Sequence, residues 1–256
     1  MADPTSAPLL VVPDVDRGPE ILRLTCSLIS LTLLIVITRI WVRARMIRQV
    51  GWDDYCVLAA MIIILVELVF IVLSVQNGAG RHMQYIDPPT NIPKGLYYNF
   101  VTQPMCVVAL CLTKVSAGLF LYRLASTKVY KNIILGVTVF TVLCATASTL
   151  MVLFACRPLA MNWDRNTVGE CLPPTHMRFT AFFGSSLAIF TDFLFAVLPI
   201  PMFWQVKLNW KVKSAVAGIL SLGIFATAAG IVKITFLDNY GKFGDLLYDS
   251  TDLTIW

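Results

Sequence analysis

Charge is scarce in this chain. Only 14% of its 256 residues are Asp, Glu, Lys or Arg, where a soluble domain carries roughly a quarter, so a water-facing surface over most of the chain is excluded. Histidine is rarer still: His82 and His176 are the two present, far apart in sequence. With no His-Glu-x-x-His, Cys-x-x-Cys or acidic metal loop, the chemistry of a metalloenzyme has no ligand set. A Gly-x-Ser-x-Gly nucleophile elbow is missing as well. Asn77-Gly78-Ala79-Gly80-Arg81-His82 is rich in glycine, but no strand precedes it and no Gly-Lys-Ser/Thr follows, so it reads as a helix terminator and not as a phosphate cradle. No cofactor and no metal is expected. The first twenty residues lack the positive n-region and short apolar core of a cleavable signal. They carry Asp3, Asp14, Asp16 and Glu20 instead, which leaves the first span to act as its own insertion signal. Neither repeats nor paired broken helices are visible, so transport has no support.

What the chain has in abundance is apolar length. It is 57% hydrophobic with a mean hydropathy of +0.75, and its apolar residues form blocks of about twenty or more, the pattern of membrane spans. The blocks predict an all-α polytopic bundle with spans at Ile21–Trp41, Tyr55–Gln76, Tyr97–Arg123, Lys131–Ala155, Phe179–Val206 and Val212–Phe236. The net charge of +5 does not point to nucleic acid, because the basic residues cluster in short turns between the blocks.

Those turns orient the bundle. Arg43, Arg45 and Arg48 follow span one, with Arg39 just before them. Lys128 and Lys131 follow Arg123 after span three, and Lys207, Lys211 and Lys213 lie between spans five and six. All fall on one side, which the positive-inside rule makes cytoplasmic. Residues 1–20 and 237–256 are then extracytoplasmic segments flanking a bundle over 21–236. The last ends in Leu253-Thr254-Ile255-Trp256, which reads as the start of another apolar run. The expectation is six spans of a seven-span architecture, the seventh missing.

Of seven cysteines, five (Cys26, Cys56, Cys106, Cys111 and Cys144) lie in or at the edge of spans. Cys156 and Cys171 flank the second extracytoplasmic loop, where a bridge would form in an oxidising compartment; Cys106 with either loop cysteine is the competing pairing. Intramembrane charges are costly and mark sites or structural pairs. Glu67, Lys114 and Asp192 stand at depths of about 18, 14 and 21 Å from the cytoplasmic span ends at 1.5 Å per residue. They predict one buried cluster, with one carboxylate in excess. It serves either as a register-fixing salt bridge or as a polar pocket for a ligand, substrate or proton. At the start of span two, Asp53 and Asp54 complement the helix N-terminus while Trp52 and Tyr55 suit the interface. Pro199 and Pro201 predict a kink in the inner part of span five.

Read in order, these motifs resemble the fungal rhodopsin-domain integral membrane proteins. The resemblance rests on Gly51-Trp52-Asp53-Asp54-Tyr55, Gly78-Ala79-Gly80-Arg81-His82, Lys114-Val115-Ser116 leading to Leu121-Tyr122-Arg123, and Cys156-Arg157-Pro158 with Trp163 and Cys171. Thr191-Asp192 to Leu198-Pro199-Ile200-Pro201 and Asp249-Ser250-Thr251 before Ile255-Trp256 complete it. It implies a seven-helix, receptor-like protein of a group that includes surface-sensing receptors and proteins beside secondary-metabolite gene clusters. It does not imply light sensing, since neither Lys114 nor Lys233 matches the retinal-bearing lysine on the last helix of microbial rhodopsins. Tyr122-Arg123 lacks the acidic residue of the Asp-Arg-Tyr signature, which puts G-protein coupling in doubt.

Two functions follow from different classes. As a sensor in the plasma membrane or an endomembrane, the chain would bind an extracellular or lipophilic small molecule and report to a cytoplasmic signalling partner. As an accessory protein or acid-catalysed cyclase or isomerase of natural-product biosynthesis, it would use Glu67 or Asp192 as a general acid on a lipophilic substrate. The lipid bilayer is the surrounding partner in both.

Overall fold

The computed structural model describes residues 16–48, 50–125, 127–164, 167–204, 210–237, 247 and 251. It is a helical bundle. Its elements are α1 (Gly18–Trp41, running on as a π-helical turn over Val42–Ile47), α2 (Trp52–Gln76), α3 (Asn91–Leu124), α4 (Lys128–Leu153), α5 (Pro174–Val197), α6 (Pro199–Trp204) and α7 (Trp210–Leu237). Between α4 and α5, β1 (Cys156–Arg157) pairs antiparallel with β2 (Glu170–Cys171).

Five helices are long and apolar enough to cross a membrane. The sixth expected span falls within α7, whose described apolar stretch is Gly223–Thr235. The helices are apolar on their outer faces too. On α1, Leu28, Leu31, Leu34, Ile35 and Ile37 are each more than half exposed, which suits a lipid solvent and not water. The chain is an integral membrane protein.

Local chemistry sets the helix ends. Asp16 Oδ1 accepts from the Gly18 N–H at 2.9 Å ahead of α1. Gly51 is extended before α2, and Asp54 Oδ2 reaches back to the Gly51 N–H at 3.1 Å. Thr127 Oγ1 caps α4 by accepting from the Tyr130 N–H at 3.5 Å. Gly78 and Gly80 have φ of +103° and +95°, a left-handed turn that side chains resist. Gly80 is constrained twice, since a Cβ there would come within 2.6 Å of the Gly18 backbone nitrogen.

Several boundaries differ from those the hydropathy suggests. α3 starts at Asn91, six residues before the apolar block, and its 34 residues span about 51 Å. That is longer than about 30 Å of hydrocarbon requires, and the first turns of the helix carry an aromatic platform. The fifth span is interrupted at Leu198 between α5 and α6, because Pro199 has no N–H to continue the ladder. The basic residue Lys207 and the acidic residues Asp238, Asp245, Asp249 and Asp252 lie outside the described residues, as do Ile255 and Trp256. Of the tail, Thr251 and Leu247 are described; Thr251 is buried, and Leu247 is enclosed completely. That residue belongs to the core, in a segment whose composition reads as polar.

α3 is the centre of the bundle. It packs most extensively on α2 and α4 and touches α5, while α1 packs on α2 and α7 on α5. Two buried clusters mark the two ends. Leu121, Ala125, Ile134 and Phe195 join α3, α4 and α5 near the turns rich in Arg and Lys, here the basic end. Ala79, Ile86, Leu96 and Leu247 form the core of the opposite, disulfide end.

Candidate functional site

The three intramembrane charges do not form one cluster. Lys114 of α3 and Asp192 of α5 do meet, Nζ to Oδ1 at 3.0 Å. The ammonium also donates to Thr191 Oγ1 at 2.9 Å and to the Ala188 carbonyl at 3.0 Å. All three of its donors are thus occupied, as a cation in a helical bundle requires. Glu67 stands elsewhere, beside Cys106 of α3 and within the electrostatic reach of Lys233 of α7. Counted from the basic end of each helix, Glu67 lies about 22 Å along α2 and Lys114 about 15 Å along α3. That difference of more than a helical turn separates them into two polar groups at different depths.

A second ionic group, tighter than either, sits at the basic end. Asp53 and Asp54 open α2 and are 5% and 1% exposed at the side chain, too buried for carboxylates that merely complement a helix end. Arg39 spans both, Nη2 to Asp53 Oδ2 at 2.8 Å and Nε to Asp54 Oδ1 at 3.1 Å. Arg43 does the same from Nη1, at 2.8 and 3.0 Å to the two Oδ2 atoms. Two guanidiniums and two carboxylates cancel. The two arginines are four residues apart, on one face of α1 and its π-helical continuation.

α3 supports this lock from beneath. Ser116 Oγ donates to the Asp53 carbonyl at 2.7 Å, and the Phe120 ring lies under both guanidiniums, 5.8 Å from Arg39 and 5.7 Å from Arg43. Arg123, one turn further, reaches the neighbourhood of Gly51. Tyr122 is partly exposed and takes Lys131 over its ring at 5.5 Å. Sequence reasoning read the two aspartates as helix-end charges and missed their partners. The signal was present: two acids face four arginines within one short turn between spans.

At the disulfide end, Cys156 is bonded to Cys171, across the pair that β1 and β2 place opposite each other. Closing a loop of this length stabilises by about 3 kcal/mol in the chain-entropy account. Cys106, the alternative partner, is a free thiol. Trp163, inside that loop, packs edge-on against Tyr97 at 5.1 Å and at a tilt against Phe100 at 5.6 Å. The loop therefore rests on the first turns of α3. His82 is buried beside the glycine turn, and Arg81 Nε pairs with Asp16 at 3.4 Å.

The turn at Gly78–Gly80 is a meeting point. Gly80 accepts from the Arg17 N–H at 3.1 Å and donates to the Leu247 carbonyl at 3.4 Å. Beside it opens a groove of about 380 Å³, lined among others by Asp16, Arg81, Asp87, Asn91, Val75 and Ile86. Neither Glu67 nor Asp192 lines it. Pro199 is fully buried, and Pro201 accepts from the Tyr130 hydroxyl at 3.4 Å, which ties α6 to α4. Among the described residues, no three His, Cys, Asp or Glu side chains gather as a metal ion would need.

Three curated fungal proteins are similar to the chain. A protein named fugralins biosynthesis cluster protein 2, from Gibberella zeae, is 28% identical over 44% of this chain and 28% of its own length. A SAT4 family membrane protein of Emericella nidulans is 24% identical over 82% of this chain and 53% of its own. Polyenoic acids biosynthesis gene cluster protein Ba17b, of Metarhizium anisopliae, is 21% identical over 88% of this chain and 65% of its own. The chain thus spans less than two thirds of the length of each of these relatives. No solved structure matches it. The family model described as fungal rhodopsin domain matches residues 38–256, which takes in the ionic lock, the glycine turn, the Lys114–Asp192 pair and the disulfide loop. The chain belongs to the fungal rhodopsin domain family.

Proposed function

We propose that the chain is a receptor-like membrane sensor in which α3 couples a polar pair inside the bundle to the ionic lock at its basic end. One observation carries this reading. Lys114 and Ser116 are two residues apart on α3; the first holds Asp192 of α5, and the second holds the backbone of Asp53 within the lock. A shift of α3 against α5 is a shift beneath the lock.

The direction of signalling follows from the loop charges, which put the basic end in the cytoplasm and the disulfide end outside. The groove beside the glycine turn is lined by neither member of the pair, so a lipophilic ligand would reach Lys114 and Asp192 from the bilayer, and the basic turns are the surface offered to a cytoplasmic partner. Breaking one partner from a buried pair costs about 3–5 kcal/mol. At about 1.4 kcal/mol per tenfold, a ligand that displaced Asp192 from Lys114 would bias two states by roughly a hundredfold to a few thousandfold. That is a useful switch.

Gene deletion tests the proposal, with metabolite profiling alongside development on host-like surfaces. A sensor predicts a lost surface response, an unchanged metabolite profile, and failure of Lys114→Met to restore the response. Accumulation of an uncyclised precursor would sink it.

A second reading has its own observation: Glu67, Cys106 and Lys233 gather in the bundle, and two relatives carry biosynthetic-cluster names. Under it the chain is a membrane-embedded accessory protein or acid-catalysed cyclase of secondary metabolism. Glu67→Gln would then change the metabolite profile and leave the surface response intact.

A further inference from the structure

The lock has a consequence for the charge around it. Across residues 39–55 and 121–131 the acidic side chains are Asp53 and Asp54, and nothing else. Arg39 and Arg43 consume both. Arg45, Arg48 and Lys128 remain, all exposed. The two turns that carry them adjoin, since Arg123 at the end of α3 reaches Gly51 at the start of α2.

Depth says what these cations meet. Trp52 is 81% exposed and Tyr55 58%; their rings lie 6.0 Å apart on the first turn of α2. Large amphipathic rings left open on a membrane helix settle where hydrocarbon gives way to headgroups. Arg45 and Arg48 belong to the turn just before them, on the side away from the apolar body of α2. Arg48 adopts a left-handed backbone with φ of 52°, which ends the π-helical stretch and reverses the chain towards α2.

We propose that the α1–α2 turn is a binding site for the headgroup of an anionic phospholipid, with Arg45 and Arg48 meeting its phosphate and Trp52 and Tyr55 packing beside its glycerol region. A soluble acidic protein would also suit the charge. It would have no use for two exposed rings at the hydrocarbon boundary.

The test uses the full chain purified in mild detergent. Native mass spectrometry compares retention of phosphatidylserine with that of phosphatidylcholine, for the unaltered protein, Arg45→Gln/Arg48→Gln and Arg45→Lys/Arg48→Lys. At about 1 kcal/mol per basic residue near a charged surface, the Gln pair should retain phosphatidylserine about thirtyfold less well. The Lys pair should stay near the unaltered protein, and Arg157→Gln, in the disulfide loop, should change nothing. A measurement without charge variants accompanies it: brominated phosphatidylserine in nanodiscs should quench a fluorescence component that Trp52→Phe removes. Equal retention of the two lipids would leave a soluble acidic partner as the occupant and overturn the proposal. Thermal stabilisation by inorganic phosphate alone, equal to that by phosphatidylserine, would overturn the lipid as source.

Discussion

The two ends of the bundle are held by different physics. At the basic end, four charges from α1 and α2 interlock over a hydroxyl and a ring of α3. At the disulfide end there is a covalent bond, a backbone turn, an aromatic platform and the buried Leu247. Ion pairs are directional and fail together when one member is lost. Apolar and covalent contacts fail in proportion to what is removed. One end suits a switch and the other a clamp.

Substitutions can break or sharpen this contrast. The largest loss should come from Asp54→Ala, which leaves Arg39 and Arg43 sharing one carboxylate. The expected destabilisation is about 3–5 kcal/mol, read as a fall in the unfolding temperature in detergent. Adding Arg43→Met should recover part of it, because the surplus cation is then gone. If the double variant is no better than the single, the four charges do not act as a unit. Leu247→Ala should cost less, about 3 kcal/mol, and should raise the protease sensitivity of the tail segment in intact protein. An unchanged digestion pattern would remove Leu247 from the clamp. Trp163→Leu is the smallest, at about 1 kcal/mol for an aromatic pair beyond its area. Its effect should persist in high salt, whereas that of Asp54→Ala should follow the charge partners it disrupts.

The bundle was legible in the sequence because hydropathy is a one-dimensional property: a span needs only length and apolar content. The turn at Gly78–Gly80 and the bond between Cys156 and Cys171 were legible for a related reason, as both are local to one loop. Rotation about a helix axis and relative depth are not local. Glu67 and Lys114 differ by more than a turn in depth, so counting along separate helices with uncertain ends merged two groups into one. Asp53 and Asp54 were misread differently: a helix N-terminus explained them adequately, and the explanation hid arginines fourteen and eleven residues earlier. Leu247 escaped because Leu246-Leu247-Tyr248, a three-residue apolar step between Asp245 and Asp249, is too short to carry a periodic signal.

The ionic lock also imposes an order on synthesis. On the orientation proposed above, Arg39, Arg43, Arg45 and Arg48 follow α1 as four cations with no acidic residue among them, the composition that holds a turn on the cytoplasmic side. Their neutralising acids are fourteen and fifteen residues downstream of Arg39 and engage only once α2 has turned back into the bilayer. The same arginines therefore serve first as a topological anchor, then as mortar between two helices. A variant that moved both aspartates ahead of α1 would keep the composition of the protein and the anchoring arginines, and forfeit only the mortar.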